Sequence, residues 1–300
     1  MKKITIIGNF PFDEQQNLRL KFLGDIKTIG TPQSAEEWTN VSRESDVIIS
    51  DGSGLLENLN NLQDVFVTYP YVELGNFDSK KLAENNVYVA NARGGNRSAI
   101  VELVIFQILS IFRKFPSMIN VVRDIPLEFN DSLASKKVLI VGKGNIGQKI
   151  GQILTSFDMD VDYFCRGDNL IEKGSKADLI VNALSSTSTS KNLLNEEFFM
   201  SLKKGSYFVS FVRHYTFDID GVIKSLDNNI LKSAAIDCDP EQMGNTTNPF
   251  YQKILNHDKI LATPHIAFTA KEAITNSREI VVKNVEAFCN GEPINILSKQ

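Results

Sequence analysis

A chain of 300 residues is about twice the size of an ordinary domain, so two domains are expected. Its composition, 42% hydrophobic and 23% charged with 19 Phe, is a globular balance able to bury a large core. A net charge of -4, a pI near 5.5 and the lack of any Lys/Arg run exclude nucleic acid as the expected partner, because nothing is present to neutralise a row of phosphates. Cys165, Cys238 and Cys289 are odd in number and widely spaced. They read as reduced thiols of a cytoplasmic protein, with neither a disulfide framework nor a metal site. The start, MKKITIIGNFPF, has too short an apolar run for a signal peptide.

Short β-branched and aromatic runs alternate with helical patterns from the first residue. KITIIG (3–8), DVIIS (46–50), DVFVTY (64–69) and NVYVA (86–90) read as buried strands, and SAEEWTNVSRES (34–45) as an amphipathic helix. Continuous apolar strands alternating with helices indicate parallel sheets covered on both faces. AIVELVIFQIL (99–109) is too short to span a bilayer and carries Glu102 and Gln107, so it reads as a buried helix and no membrane is implied. An irregular connector with Pro116, Pro126 and the turn Asn130-Asp131 follows. A second series then begins with KKVLIVGKG (136–144) and runs through 160–164, 178–184, 206–211, 233–238 and 259–264. Six strands separated by helix-length segments predict a doubly wound fold. A last helix starts near Lys271 and leads into a short tail whose docking site the sequence does not reveal.

VLIVGKGNIGQKIGQIL places Gly142-x-Gly144-x-x-Gly147 directly after a strand and at the opening of a helix. The first glycine permits the tight turn, the second lets the backbone approach a pyrophosphate, and the third allows close helix–strand packing. Gly142, Gly144, Asn145, Ile146 and Gly147 are therefore candidate dinucleotide-binding positions, with the helix N-terminus attracting the negative charge. An NAD site would end the next strand in an acidic residue. Here Cys165-Arg166-Gly167 stands at that point. A guanidinium at Arg166 suits a 2′-phosphate, so NADP is the preferred cofactor and NAD the alternative, with Asp168 or Asp162 then taking the ribose.

Three further segments fall at C-terminal strand ends, the edge where open α/β sheets bind ligands. SFVRHYTFD supplies Arg213, AAIDCDPEQM supplies Asp237 and Gln242, and LATPHIAFTA supplies His265. With the Gly-rich turn, NARGGNRSAIVEL, ALSSTSTSKNLLN and NVEAFCNGEPIN, in that order and spacing, the chain resembles the D-isomer-specific 2-hydroxyacid dehydrogenase family over nearly its whole length. That family includes D-lactate, glycerate and phosphoglycerate dehydrogenases and glyoxylate/hydroxypyruvate reductases.

The resemblance implies an α/β fold of two doubly wound parallel-sheet domains. A Rossmann domain at 98–269 would be inserted into a flavodoxin-like substrate domain of 1–97 plus 270–300, with the active site between them. It implies hydride transfer between a nicotinamide and a small 2-keto or D-2-hydroxy acid. His265 would be the general acid/base, a role suited to a group titrating near neutrality. Arg213 would be the substrate clamp, and Asp237 would lie near the nicotinamide carboxamide. His214 and His257 lack such a setting and read as surface or packing residues. A homodimer through the nucleotide domain is the family expectation.

Two departures stand out. Gln242 occupies the place of the family glutamate that orients the catalytic histidine, with Glu241 adjacent as a substitute. In the substrate loop YVELGNFD, Tyr71, Val72 and Glu73 replace the usual Gly-Val-Gly turn, which leaves Val72 and Glu73 as candidate substrate contacts in a reshaped pocket. Phe268, replacing a small residue after the histidine, reshapes it further. A nucleotide-sensing, corepressor-like protein or a catalytically degenerate relative are the alternatives.

Overall fold

The computed structural model describes residues 1–72, 75, 77–115, 129–239 and 247–297. It divides into two compact units, one of Met1–Asn96 with Ala270–Gln300 and one of Arg97–Thr269.

The first unit carries β1 (Lys2–Ile7), α1 (Glu14–Leu23), β2 (Gly24–Ile29), α2 (Ala35–Glu44), β3 (Val47–Ser50), α3 (Leu55–Asn58), β4 (Phe66–Thr68), α4 (Ser79–Glu84) and β5 (Tyr88–Ala90). All five strands are parallel, in the order β2-β1-β3-β4-β5. This is the flavodoxin-type order. The strands are mostly apolar because both faces are buried and successive residues feed opposite layers. Val47, Ile49 and Phe66 enter one core cluster, while Ile48, Val67 and Val89 enter the other.

Sequence patterning misses α1 and β2. The helix EQQNLRLKFL buries only Gln16 and Leu20, and β2 is an edge strand with largely exposed polar positions. Neither presents a strong apolar period. The start of α1 is nevertheless well marked, since Asp13 and Gln16 form a reciprocal capping box.

The second unit contains α5 (Arg97–Phe112), β6 (Lys137–Val141), α6 (Asn145–Thr155), β7 (Asp160–Phe164), α7 (Leu170–Gly174), β8 (Leu179–Asn182), α8 (Glu196–Met200), β9 (Ser206–Ser210), α9 (Ile219–Asp227), β10 (Leu231–Asp237), α10 (Pro249–Leu255) and β11 (Ile260–Thr263). Its six strands are parallel in the order β7-β6-β8-β9-β10-β11. The same alternation holds here. Val138, Ile140 and Val181 serve one layer with α5 and α6, and Leu139, Ile180 and Phe208 serve the other. β7 is an edge strand, and its crossing to β8 contains only the five-residue α7. Pro116 and Pro126 of the expected connector lie outside the described residues. No helix among the described residues is long and apolar enough to cross a membrane.

The chain's last helix, α11 (Lys271–Cys289), returns to the first unit. Val281, Val282 and Val285 complete the cluster around Ile4, Ile6 and Phe66. Arg19 on α1 forks onto Glu286 at 2.7 and 2.8 Å and onto Glu279 at 2.8 Å. Deeper, the fully buried Asn284 donates to the Thr68 hydroxyl and the Asn91 carbonyl, both at 3.0 Å, and accepts from Asn295 at 2.8 Å. The tail then pairs beside β5 through an Ala90–Ile296 bridge. Asn284→Ala would strand these buried partners, so we expect a loss of about 2–4 kcal/mol in the first unit. Trp38, the single tryptophan and fully buried there, reports that transition by fluorescence during urea unfolding.

Candidate active site

The Gly-rich turn follows β6 and opens α6. Gly142 has φ +120°, and a Cβ there would lie 2.4 Å from the Ala183 carbonyl oxygen, so the first glycine is obligatory on both counts. A Cβ on Gly147 would meet the Gly142 carbonyl oxygen at 2.1 Å, so the third glycine sets the close approach of helix to strand. Around Gly144 a Cβ would meet nothing within 4 Å. That open space lies at the N-cap of α6, where no side chain caps the helix. The first amides of α6 are left to an anion, and the turn fits a pyrophosphate. Asn145 is exposed beside it, while Ile146 packs against the apolar layer below.

Beyond β7, Gly167 takes φ +97° in a turn closed by the Asp168 amide on the Cys165 carbonyl at 3.1 Å. The Asp168 carboxylate in turn accepts the Cys165 amide at 2.8 Å. Arg166 stands exposed at the tip, with no ion pair among the described residues.

The ends of β9, β10 and β11 share the same C-terminal sheet edge. Arg213 lies three residues past β9, half-buried, at the start of a short turn. Asp237 closes β10 and is only 3% exposed. Its Oδ1 accepts the Thr263 hydroxyl at 2.5 Å and the Ile266 amide at 3.0 Å, and its Oδ2 accepts the Ala267 amide at 3.1 Å. The carboxylate therefore staples the loop after β11 to the end of β10. Within that loop His265 sits at φ +54°, a left-handed conformation uncommon outside glycine and held here by bonds on both sides. Its Nδ1 faces the Cys238 carbonyl at 2.9 Å. A carbonyl accepts only, so Nδ1 carries the proton and Nε2 is the nitrogen left for chemistry. The Phe268 ring, 40% exposed, stands 5.6 Å from the imidazole.

Two polar contacts escape sequence reading. Gln107, fully buried in the mostly apolar α5, donates to the Thr263 hydroxyl at 3.1 Å, completing a chain from Gln107 through Thr263 to Asp237. An amide within the most apolar stretch of the chain is a usable signal for such a role. The second adds to the expectation for His214. Its side chain is exposed, as expected of a surface residue, yet its Nδ1 pairs with the buried Asp239 and its backbone amide lies 3.2 Å from the same carboxylate. That pair joins the turn after Arg213 to the segment carrying the Cys238 carbonyl. No sequence pattern links residues 25 positions apart in this way. Between the two aspartates, burial first and then Asp237 and Asp239 push the Cys238 thiol up to about 12, so it stays a neutral thiol.

Gln242 and Glu241, the expected partners of His265, lie outside the described residues, as does Glu73 of the substrate loop. In the first unit the Tyr71 carbonyl accepts the Ala92 amide at 2.9 Å and the Val72 carbonyl accepts the Asn91 side chain at 2.6 Å. The loop is thereby tied to the chain after β5, at the C-terminal edge of its own sheet.

Residues 105–267 match the family model for the D-isomer specific 2-hydroxyacid dehydrogenase, NAD binding domain. That span is more than half of the chain. The chain belongs to this family. Among similar proteins of known name, D-3-phosphoglycerate dehydrogenase of Haemophilus influenzae is 28% identical over 69% of this chain and 54% of its own length. The chain thus matches about half of that longer relative. Glyoxylate reductase of Thermofilum pendens is 24% identical over 90% of this chain and 86% of its own. An acyclic imino acid reductase solved with NADPH and D-Arg shares the fold at a TM-score of 0.79, covering 98% of this chain and 99% of that one, with 18% identity.

The staple makes a direct prediction. Thr263→Val keeps the shape but removes the donor to Asp237 and the acceptor for Gln107, and should cost about 1–3 kcal/mol. Thr263→Ser keeps both bonds and should stay within about 0.5 kcal/mol of the parent. Urea unfolding of the two variants measures the difference.

Proposed function

We propose that this dehydrogenase-family protein is an NADP-preferring enzyme that interconverts a small 2-keto acid and its D-2-hydroxy acid. The observation that carries the proposal is the fixed His265 imidazole, with Nδ1 occupied by the Cys238 carbonyl and Nε2 left open, on the sheet edge that also bears the Gly-rich turn and Arg213. In this reading the compact unit Arg97–Thr269 is the nucleotide-binding domain, and Met1–Asn96 with Ala270–Gln300 is the substrate domain.

A nicotinamide, when bound, supplies the hydride to the 2-carbon. In reduction His265 acts as the imidazolium, giving an Nε2 proton to the carbonyl oxygen as the alkoxide forms and keeping Nδ1–H on the Cys238 carbonyl. In the reverse direction the neutral ring takes the hydroxyl proton at Nε2. The Arg213 guanidinium, a planar and permanently charged fork, orients the substrate carboxylate and polarises the carbonyl. Asp237 acts through the loop, since the bonds it accepts come from the segment around His265. Val72 and Glu73 are the candidate substrate contacts of the loop, and the partner position of the histidine falls in the sequence on Gln242, a neutral amide, or on the adjacent Glu241. The names of the relatives, a phosphoglycerate dehydrogenase and a glyoxylate reductase, support a 2-hydroxy or 2-keto acid as substrate class.

NADP is favoured by the exposed Arg166 at the tip after β7, and the NADPH of the structurally similar imino acid reductase is consistent with it. A homodimer through the nucleotide-binding domain is supported by Phe106 and Leu109, which α5 leaves 49% and 37% exposed.

The test is NADPH oxidation with a panel of 2-keto acids, run in parallel with NADH. Turnover of at least one keto acid is expected, and none with any of them would remove the enzymatic reading. His265→Ala should lower the reduction rate by roughly 100- to 10,000-fold, the range for a positioned general acid. NADPH binding should hardly change in that variant, and near-normal turnover in a folded protein would take His265 out of the mechanism.

A further inference from the structure

The short crossing from β7 to β8 sets Lys173 of α7 against the strand end beside Arg166. Asn169 caps α7 through the Glu172 amide at 3.1 Å, which fixes the helix immediately after the Cys165–Asp168 turn. The Lys173 ammonium then meets three acceptors, Asp162 Oδ1 at 3.0 Å, Asp168 Oδ2 at 3.1 Å and the Tyr163 carbonyl at 2.8 Å. An ammonium has three protons, so all of its donor capacity is directed into this strand end. Asp168 is doubly held, because the same oxygen also takes the Cys165 amide. The Cys165 amide first, and then Lys173, hold the Asp168 carboxyl below its ordinary range. Asp162 above all raises Lys173 above its own.

Asp162 and Asp168 are the carboxylates near this strand end that suit an unphosphorylated ribose, since a carboxylate accepts hydroxyl protons and repels a phosphate. We propose that Lys173 is a cofactor-specificity residue, which by clamping Asp162 and Asp168 withdraws both from the adenosine ribose and leaves Arg166 to hold a 2′-phosphate. The inference rests on the proposed NADP reading and adds what makes that reading possible in a chain that keeps two acids beside its arginine. Arg166 would supply the fork, and Lys173 would silence the groups that compete with it. A further cation, Lys143 of the Gly-rich turn, stands 5.2 Å over the Tyr163 ring on the same strand. The local balance of Asp162 and Asp168 against Lys143, Arg166 and Lys173 is therefore positive, and loss of Lys173 would cancel the excess.

Equilibrium binding of NADPH and NADH, followed by the fluorescence of the reduced nicotinamide, tests this without reference to turnover. Lys173→Met should weaken NADPH by about 10-fold or more, as for the loss of one charge-assisted contact, while NADH holds or tightens. Adding Asp162→Asn and Asp168→Asn to Lys173→Met should restore NADPH binding, because the freed carboxylates are then gone. In the parent background, Asp162→Asn with Asp168→Asn should leave the ratio of NADPH to NADH affinity within about 3-fold of the parent, because acids already clamped do not compete, an arm that stands even if Lys173→Met does not fold. Equal weakening of both cofactors by Lys173→Met, or a change of about 10-fold or more in the NADPH-to-NADH ratio when the two acids are removed from the parent, overturns the proposal. A parent protein that prefers NADH, or an Arg166→Ala variant that loses both cofactors equally, instead overturns the underlying NADP reading.

Discussion

The carboxylate of Asp237 sits almost out of water at the end of β10, and a buried charge without partners is too costly to persist. Its answer comes from neutral donors, one hydroxyl and two amides, all drawn from residues 263–267. This choice has a mechanical result. A lysine partner would neutralise the charge and leave the loop indifferent to it, whereas these donors tie loop geometry to charge solvation. Moving His265 away from the sheet edge would expose an unsatisfied carboxylate, so the loop holds the imidazole at that edge. The unusual backbone of His265, costing on the order of 1–3 kcal/mol, is tolerable only inside such a frame.

The same edge shows how a parallel sheet assembles a site from distant segments. β6, β9, β10 and β11 run in one direction, so the residues following each strand emerge together. Glycines 142 and 147 let α6 sit tightly over β6, and Gly144 leaves its N-terminal amides uncovered. The turn after β9 brings Arg213 with His214, whose pairing to Asp239 ties it to the end of β10. Side-chain pairings across neighbouring strand ends thus position the elements that bear Arg213 and His265.

Much of this is legible in the residues. Strand interiors such as those of VIIS and KVLIV are apolar on both faces because two layers bury them. The glycine spacing and the Thr-Pro-His context point to the nucleotide turn and the histidine. What stays hidden is relational. Nothing local marks the Cys238 carbonyl as the partner of a ring 27 residues away, or Asp239 as the partner of His214. Edge elements hide for a different reason, since β2 and α1 bury too little to impose a period. The docking of α11 depends on Asn284, a polar residue that bonds to Thr68 and Asn91, far back in the sequence.

The return of α11 to the first unit gives the chain an order of assembly during synthesis. The segment Arg97–Thr269 is continuous and has all its strands once its own last residues have emerged. The first unit has its five strands early, yet one of its cores lacks Val281, Val282 and Val285, and the Thr68 hydroxyl waits for a partner 216 residues later. At about 5–20 residues per second, ribosomal elongation separates these events by on the order of ten seconds or more. During that interval the sheet face bearing Ile4, Ile6, Val47 and Phe66 is covered only in part, by Phe12 and by Leu20 of α1, and the rest is a sticky surface on a nascent chain. The N-terminal sheet, although made first, is the part that finishes last and the part most in need of a chaperone's cover.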